Sequence, residues 1–127
     1  MDGRLYVFDF EVVHGNKLGR EIRFPTITQP FPDDYMRPRF GVYASKVRLD
    51  GRKWAGATNI GCKPTVGSGR ILAETNIIGY NDNLYHQRVR VELVDFLRGE
   101  EKFDSVELLV QQMRRDCSAI ERIAEQY

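Results

Sequence analysis

Strand-like runs follow one another through most of this chain and a single helical stripe closes it, and that order limits the fold more than any other feature. Over residues 5–13, β-branched and aromatic residues alternate with charges, so Phe8, Phe10 and Val12 share one face of a strand. Residues 41–49 and 53–60 read as a hairpin about Asp50-Gly51, because these residue types accept the positive φ of a two-residue turn. Residues 71–78 and 88–97 read as a second antiparallel pair, joined through the turn-forming Gly79, Tyr80, Asn81, Asp82 and Asn83. The stretch 25–38, with Pro30, Pro32, Pro38 and Asp33-Asp34, reads as an irregular surface excursion and a candidate flap. Last comes a helix: Asp104 stands three residues before Glu107 in the manner of a capping box, and Leu109, Met113, Cys117, Ile120 and Ala124 recur at helical spacing as a core stripe. Strands in series before one terminal helix imply a mainly antiparallel α+β or all-β fold, not alternating βαβ units. Closure into a small barrel would protect the sheet edges.

At 127 residues, with 42% hydrophobic and 29% charged, the chain suits one domain over 1–127 with one core. Its formal net charge of +1 lacks the electrostatic footprint of a protein that grips nucleic acid through phosphates. A small barrel that binds nucleic acid is therefore the weakest of three functional readings. Cys62 and Cys117 lie far apart without Cys-x-x-Cys or Cys/His spacing, which indicates reduced thiols and neither a disulfide framework nor a zinc-finger site. No apolar run approaches the roughly 20 residues that span a bilayer, and Met1-Asp2-Gly3-Arg4 does not open a signal peptide. The expectation is a cytoplasmic protein without membrane or nucleic-acid partners.

Two segments bear chemistry. The loop Gly15-Asn16-Lys17-Leu18-Gly19-Arg20 leads to Phe24-Pro25-Thr26: two glycines allow close backbone approach to a ligand, and Lys17 and Arg20 supply positive charge for a phosphate. The Walker spacing is absent, so a phosphate site here needs another scaffold. Glu74 interrupts an otherwise apolar strand and could accept a hydroxyl proton; alternation alone leaves open which face of that strand meets solvent. Without further context the loop is a solvated turn and Glu74 a surface carboxylate. His14 and His86 form no recognisable acid-base arrangement, and Trp54 beside the hairpin turn reads as a packing residue.

Four ordered segments resemble the riboflavin kinase domain: the loop above; Gly41-Val42-Tyr43-Ala44 with Asn59-Ile60-Gly61-Cys62-Lys63-Pro64-Thr65; Glu74-Thr75-Asn76-Ile77 leading to Asp82-Asn83-Leu84-Tyr85; and Phe96-Leu97-Arg98-Gly99-Glu100-Glu101-Lys102-Phe103-Asp104-Ser105. The resemblance implies a six-stranded antiparallel Greek-key barrel with a C-terminal amphipathic helix. It also implies transfer of phosphate from ATP to riboflavin, giving FMN and ADP, by a monomer, with an adenylyltransferase domain as a partner in a longer parent chain. By the same resemblance Glu74 is the catalytic base. Gly15, Lys17, Gly19, Arg20, Thr26, Ile77, Gly79 and Tyr85 bind ATP, and Arg98, Glu101 and Phe103 contact the flavin. Thr26 and Thr28 hold magnesium, with manganese or zinc as alternatives.

Five positions depart from that pattern: Arg23 and His86 stand where the family usually has Gly, Thr28 where it has a metal-binding Asn, Asn76 where it often has His, and Gly79 where it often has Asp. They cluster about the expected site. Thr28, Arg23 and Asn76 motivate a second reading of another class, a flavin-binding regulatory or carrier module that has lost efficient turnover.

Overall fold

The computed structural model describes residues 6–13, 26–65, 68–80 and 82–125. Six strands, β1 (Tyr6–Glu11), β2 (Ile27–Pro30), β3 (Gly41–Leu49), β4 (Arg52–Thr65), β5 (Ser68–Ile77) and β6 (Arg88–Arg98), precede the helix α1 (Val106–Ala124). They form one antiparallel sheet in the order β1-β6-β3-β4-β5-β2. Because β3, β4 and β5 follow as hairpins and β6 returns beside β3, the unit is a Greek key. The outer strands curl toward each other: Val13 N–H donates to the Thr28 carbonyl at 2.8 Å. Gln29, 0% exposed, donates its amide to the carbonyls of Phe10 and Val89, both at 2.9 Å. A nearly closed barrel results.

The Asp50-Gly51 hairpin forms as expected, with φ of +53° and +72° at the two turn residues. The second expected pair does not: β5 lies between β4 and β2, and β6 between β1 and β3. The turn residues after β5 therefore begin a crossover, not a hairpin. The proline-rich stretch is also more ordered than its composition suggests. Its first part is β2, with Pro30 at the strand's end, where a lost N–H does least harm. Phe31, 3% exposed, then packs at 5.4 and 5.0 Å from the rings of Phe8 and Phe10, and Tyr35 stands edge-on to Phe10 at 5.0 Å. The Tyr6 hydroxyl donates to the Met36 carbonyl, and burial, aided by Tyr35, pushes its pKa up to about 12. The excursion is thus pinned to the barrel by aromatic contacts on both sides of Pro32.

Phe8, Phe10 and Val12 face inward together, as their alternation predicts, and join Val47, Ile60, Ala73, Val91 and Leu93 in the core. Helix α1 lies outside on β3 and β4. Its N-cap is Ser105, one residue later than the sequence suggests, with the hydroxyl accepting from Leu108 N–H at 3.2 Å. Of its expected core stripe only Ile120 is buried; Leu109, Met113, Cys117 and Ala124 are half-buried, because the helix meets the sheet's outer face and not the barrel interior. Among the described residues no helix is long and apolar enough to cross a membrane. Trp54 packs edge-on to Tyr80 at 5.1 Å beneath Arg52, the packing role expected of it.

Candidate active site

Strand register settles what alternation left open. Ala73 and Thr75 are 0% exposed and face the core, so Glu74 between them projects from the barrel's outer face, where it is half-buried. Glu74 lies opposite Thr28 of β2 on one side and Asn59 of β4 on the other. Thr28, Glu74 and Asn59 therefore form a polar row across three strands. Thr28 is 3% exposed, and the buried Oδ1 of Asn59 has no hydrogen-bond partner among the described residues.

The antiparallel register sorts the remaining expected residues to opposite rims. At one rim β1 and β5 end and β2 and β6 begin, which brings together Thr26, Ile77, Gly79 and Tyr85. Backbone bonds tie this rim: His86 N–H to the Val12 carbonyl at 2.8 Å, Val12 N–H to the Gln87 carbonyl at 2.9 Å. Tyr85 N–H is held by the Asn83 side chain at 2.9 Å. Ile77 is 4% exposed with its side chain in the core, so only its backbone can meet a ligand. Gly15, Lys17, Gly19, Arg20 and Arg23 lie outside the described residues; Val13 and Thr26, which flank them, are at this rim.

Arg98, Glu101 and Phe103 gather at the opposite rim, where β6 ends. The Arg98 guanidinium lies 5.9 Å from the Phe103 ring and 4.0 Å from the Glu101 carboxylate, and donates to the Gly99 carbonyl at 3.3 Å. Its strongest partner was not foreseen. Asp116 of α1 accepts from Arg98 Nε at 3.1 Å and Nη2 at 2.8 Å, and from Gln112 Nε2 at 3.0 Å. The hydrogen bond to Asp116 raises the Arg98 pKa against the opposing effect of burial, so the guanidinium stays charged. The sequence carried a signal for Asp116: it falls four residues before Ile120, on the helix face turned to the sheet, where a carboxylate needs a partner. The Glu100 carboxylate lies over Gly61, where an added Cβ would come within 2.0 Å of its Oε1 and the glutamate side chain would have to shift.

Three departures from the family pattern acquire a structural setting. His86 has φ of +70° and Gly79 +83°, so the usual glycine at 86 suits the backbone better than histidine, and glycine at 79 suits it better than aspartate. Asn76 Oδ1 lies 3.7 Å from Cys117 Sγ, and burial, then Asp116, pushes that thiol's pKa up.

The family model described as Flavokinase, riboflavin kinase, matches residues 2–124. The chain belongs to the riboflavin kinase family. It is 39% identical over 115 residues to the bifunctional riboflavin kinase/FMN adenylyltransferase of Haemophilus influenzae, covering 90% of this chain and 37% of that protein. The proteins of the same description from Bacillus subtilis and Pseudomonas fluorescens are 34% identical over 117 and 123 residues, covering 90% and 96% of this chain and 37% and 39% of theirs. The chain thus spans little more than a third of the length of these relatives. A crystal structure described as a macrolide-efflux protein from Streptococcus pneumoniae superposes with a TM-score of 0.82 and 32% identity, over 91% of this chain and 38% of that one. The six-stranded barrel with its terminal helix is accordingly a riboflavin kinase-family fold, as the four segments implied.

Proposed function

We propose that this domain transfers the γ-phosphoryl group of ATP to the terminal ribityl hydroxyl of riboflavin, giving FMN and ADP. The observation that carries this reading is the Thr28–Glu74 register pair, which sets a carboxylate beside a hydroxyl on the outer face, between the rim of Thr26 and the rim of Arg98. A nucleotide held at the first rim and a flavin at the second would meet at Glu74. There the carboxylate accepts the proton of the attacking hydroxyl as its oxygen bonds to the γ-phosphorus and the bond to the β-phosphate oxygen breaks. No covalent enzyme intermediate is involved. Phe103 packs against the isoalloxazine ring, with Arg98 and Glu101 at its polar edge. Lys17, Arg20 and the glycines of their loop surround the phosphates.

The oxygens of Thr26 and Thr28 beside Glu74 fit a hard divalent cation. Magnesium takes few protein ligands when phosphates and water complete its shell. When bound, magnesium would neutralise charge on the transferred phosphoryl group. Manganese or zinc could replace it. An adenylyltransferase domain in a longer parent chain would consume the FMN, and the domain itself acts as a monomer.

Thr28, standing where the family usually has asparagine and only 3% exposed, favours the second reading, a flavin-binding module with little turnover. One experiment separates them: FMN formation from riboflavin and ATP, followed by chromatography with fluorescence detection, in magnesium and in manganese. The kinase makes FMN in at least one metal. Riboflavin binding without product in either would establish the module instead.

A further inference from the structure

Arg98 joins three parts of the molecule at once. It ends β6, it touches each flavin-side candidate of the following loop, and it is clamped from behind by α1. The clamp is a two-point fork: two nitrogens of the guanidinium face the two oxygens of Asp116, whose side chain is 9% exposed against 19% for Arg98. Gln112, one helical turn before Asp116, donates to the same carboxylate and limits its rotation. A buried pair of this kind adds little net stability over apolar packing, so stability alone does not account for its place on a helix otherwise seated through Ile120. What the fork does fix is direction. With Nε and Nη2 taken up by Asp116, the remaining edge of the guanidinium is turned to Gly99, Glu101 and Phe103.

We infer that Asp116, braced by Gln112, is a positioning residue for the flavin: it acts through Arg98 to hold the 99–103 segment in its binding arrangement. The inference rests on the kinase reading for the identity of the ligand. It assigns to α1 a part in substrate recognition, in addition to covering β3 and β4. Among the described residues the hydrogen bonds of Asp116 run to Arg98 and Gln112, on the flavin side, so its effect is expected on riboflavin and not on ATP.

The test measures riboflavin dissociation constants by quenching of flavin fluorescence, together with KM for ATP and kcat, for the native domain, Asp116→Asn, Asp116→Glu and Gln112→Ala. Asp116→Asn should weaken riboflavin binding about tenfold, the loss expected for one charge-assisted hydrogen bond, and leave KM for ATP within about twofold. Asp116→Glu, which keeps the charge, should recover part of that loss, and Gln112→Ala should weaken riboflavin about two- to threefold by freeing the carboxylate. Combining Asp116→Asn with Arg98→Lys should cost no more than Arg98→Lys alone, because both act through one guanidinium. Riboflavin affinity unchanged in a cooperatively folded Asp116→Asn, or riboflavin and ATP constants rising together, would overturn the inference. Should Asp116→Asn not fold, the Gln112→Ala and Asp116→Glu affinities decide, and native values in both overturn it. The two readings fail separately: FMN formation with riboflavin affinity indifferent to Asp116 removes only the positioning role. Asp116-dependent riboflavin binding without FMN removes only the kinase. A native domain that does not bind riboflavin removes both.

Discussion

Strands β4 and β5 carry two polar rows, one on each face, and they are built differently. On the inner face Ser45, Thr58 and Thr75 pass hydroxyl contacts from β3 to β5, 2.8 Å at each step, in side chains that are 3%, 0% and 0% exposed. On the outer face Thr28, Glu74 and Asn59 occupy the neighbouring positions, Glu74 is half-buried, and the buried Asn59 oxygen has no partner among the described residues. The inner row is closed on itself, as a core requires of buried polar groups. Its bonding is complete without a ligand. The outer row holds a carboxylate next to a hydroxyl and an amide between two rims. Position on one side or the other of a single strand thus separates hydroxyls bonded into the core from the groups that the proposed chemistry would use.

The largest expected effect sharpens this contrast at Glu74. Glu74→Gln keeps the side chain's size and removes its basicity, so kcat for FMN formation should fall about 10²- to 10⁴-fold, while the midpoint of thermal unfolding stays near native. Steady-state kinetics beside a melting curve checks both halves. A variant that keeps more than a tenth of native turnover would break the comparison, since the outer row would then not be the reacting row.

The inner row gives the next effect and the opposite signature. Thr58→Val is close to isosteric and leaves Ser45 and Thr75 each without its central partner. It should lower the unfolding free energy by about 1–3 kcal/mol, the cost of stranding buried hydroxyls, with kcat/KM at the native value. Urea denaturation measures the first and initial rates the second. Lost turnover at unchanged stability would mean that the two faces communicate, contrary to the division above.

How far this could be read in advance follows the same division. The inward set Phe8, Phe10 and Val12 and the Asp50-Gly51 turn were legible because they depend on local alternation and turn chemistry. The pairing of β5 and β6 was not, because partner choice in a Greek key is made across the barrel, and the turn residues after β5 begin a crossover as readily as a hairpin. Strand β2 was obscured by its prolines and is held by β5 and the Val13 bridge. For the site, motif resemblance named Glu74 and Arg98, but register was needed to put Glu74 outside and Asn59 beside it. Asp116 was hidden because helical periodicity draws attention to apolar positions and passes over a charge on the same face.

The smallest effect concerns His86, at the rim and outside both rows. Its φ of +70° lies in the left-handed region, where a β-carbon is strained, while its N–H holds the Val12 carbonyl at 2.8 Å and its ring sits 3.7 Å from Glu11 with both side chains exposed. The exposed pair contributes little. His86→Ala keeps the strain and loses the ring; His86→Gly removes the strain, about 1–2 kcal/mol, and loosens the unfolded chain, a smaller opposing term of about 0.5–1 kcal/mol. Because alanine bears the left-handed strain in full, the glycine variant should be the more stable of the two by about 0.5–1 kcal/mol in urea, with turnover equal in both. Equal stability would mean that the Val12 and Gln87 bonds hold this turn without strain at 86. A turnover gain in the glycine variant would give His86 a part in the rate as well as in the fold, and would make this rim, along with Thr28, a place where this sequence's departures tune the rate.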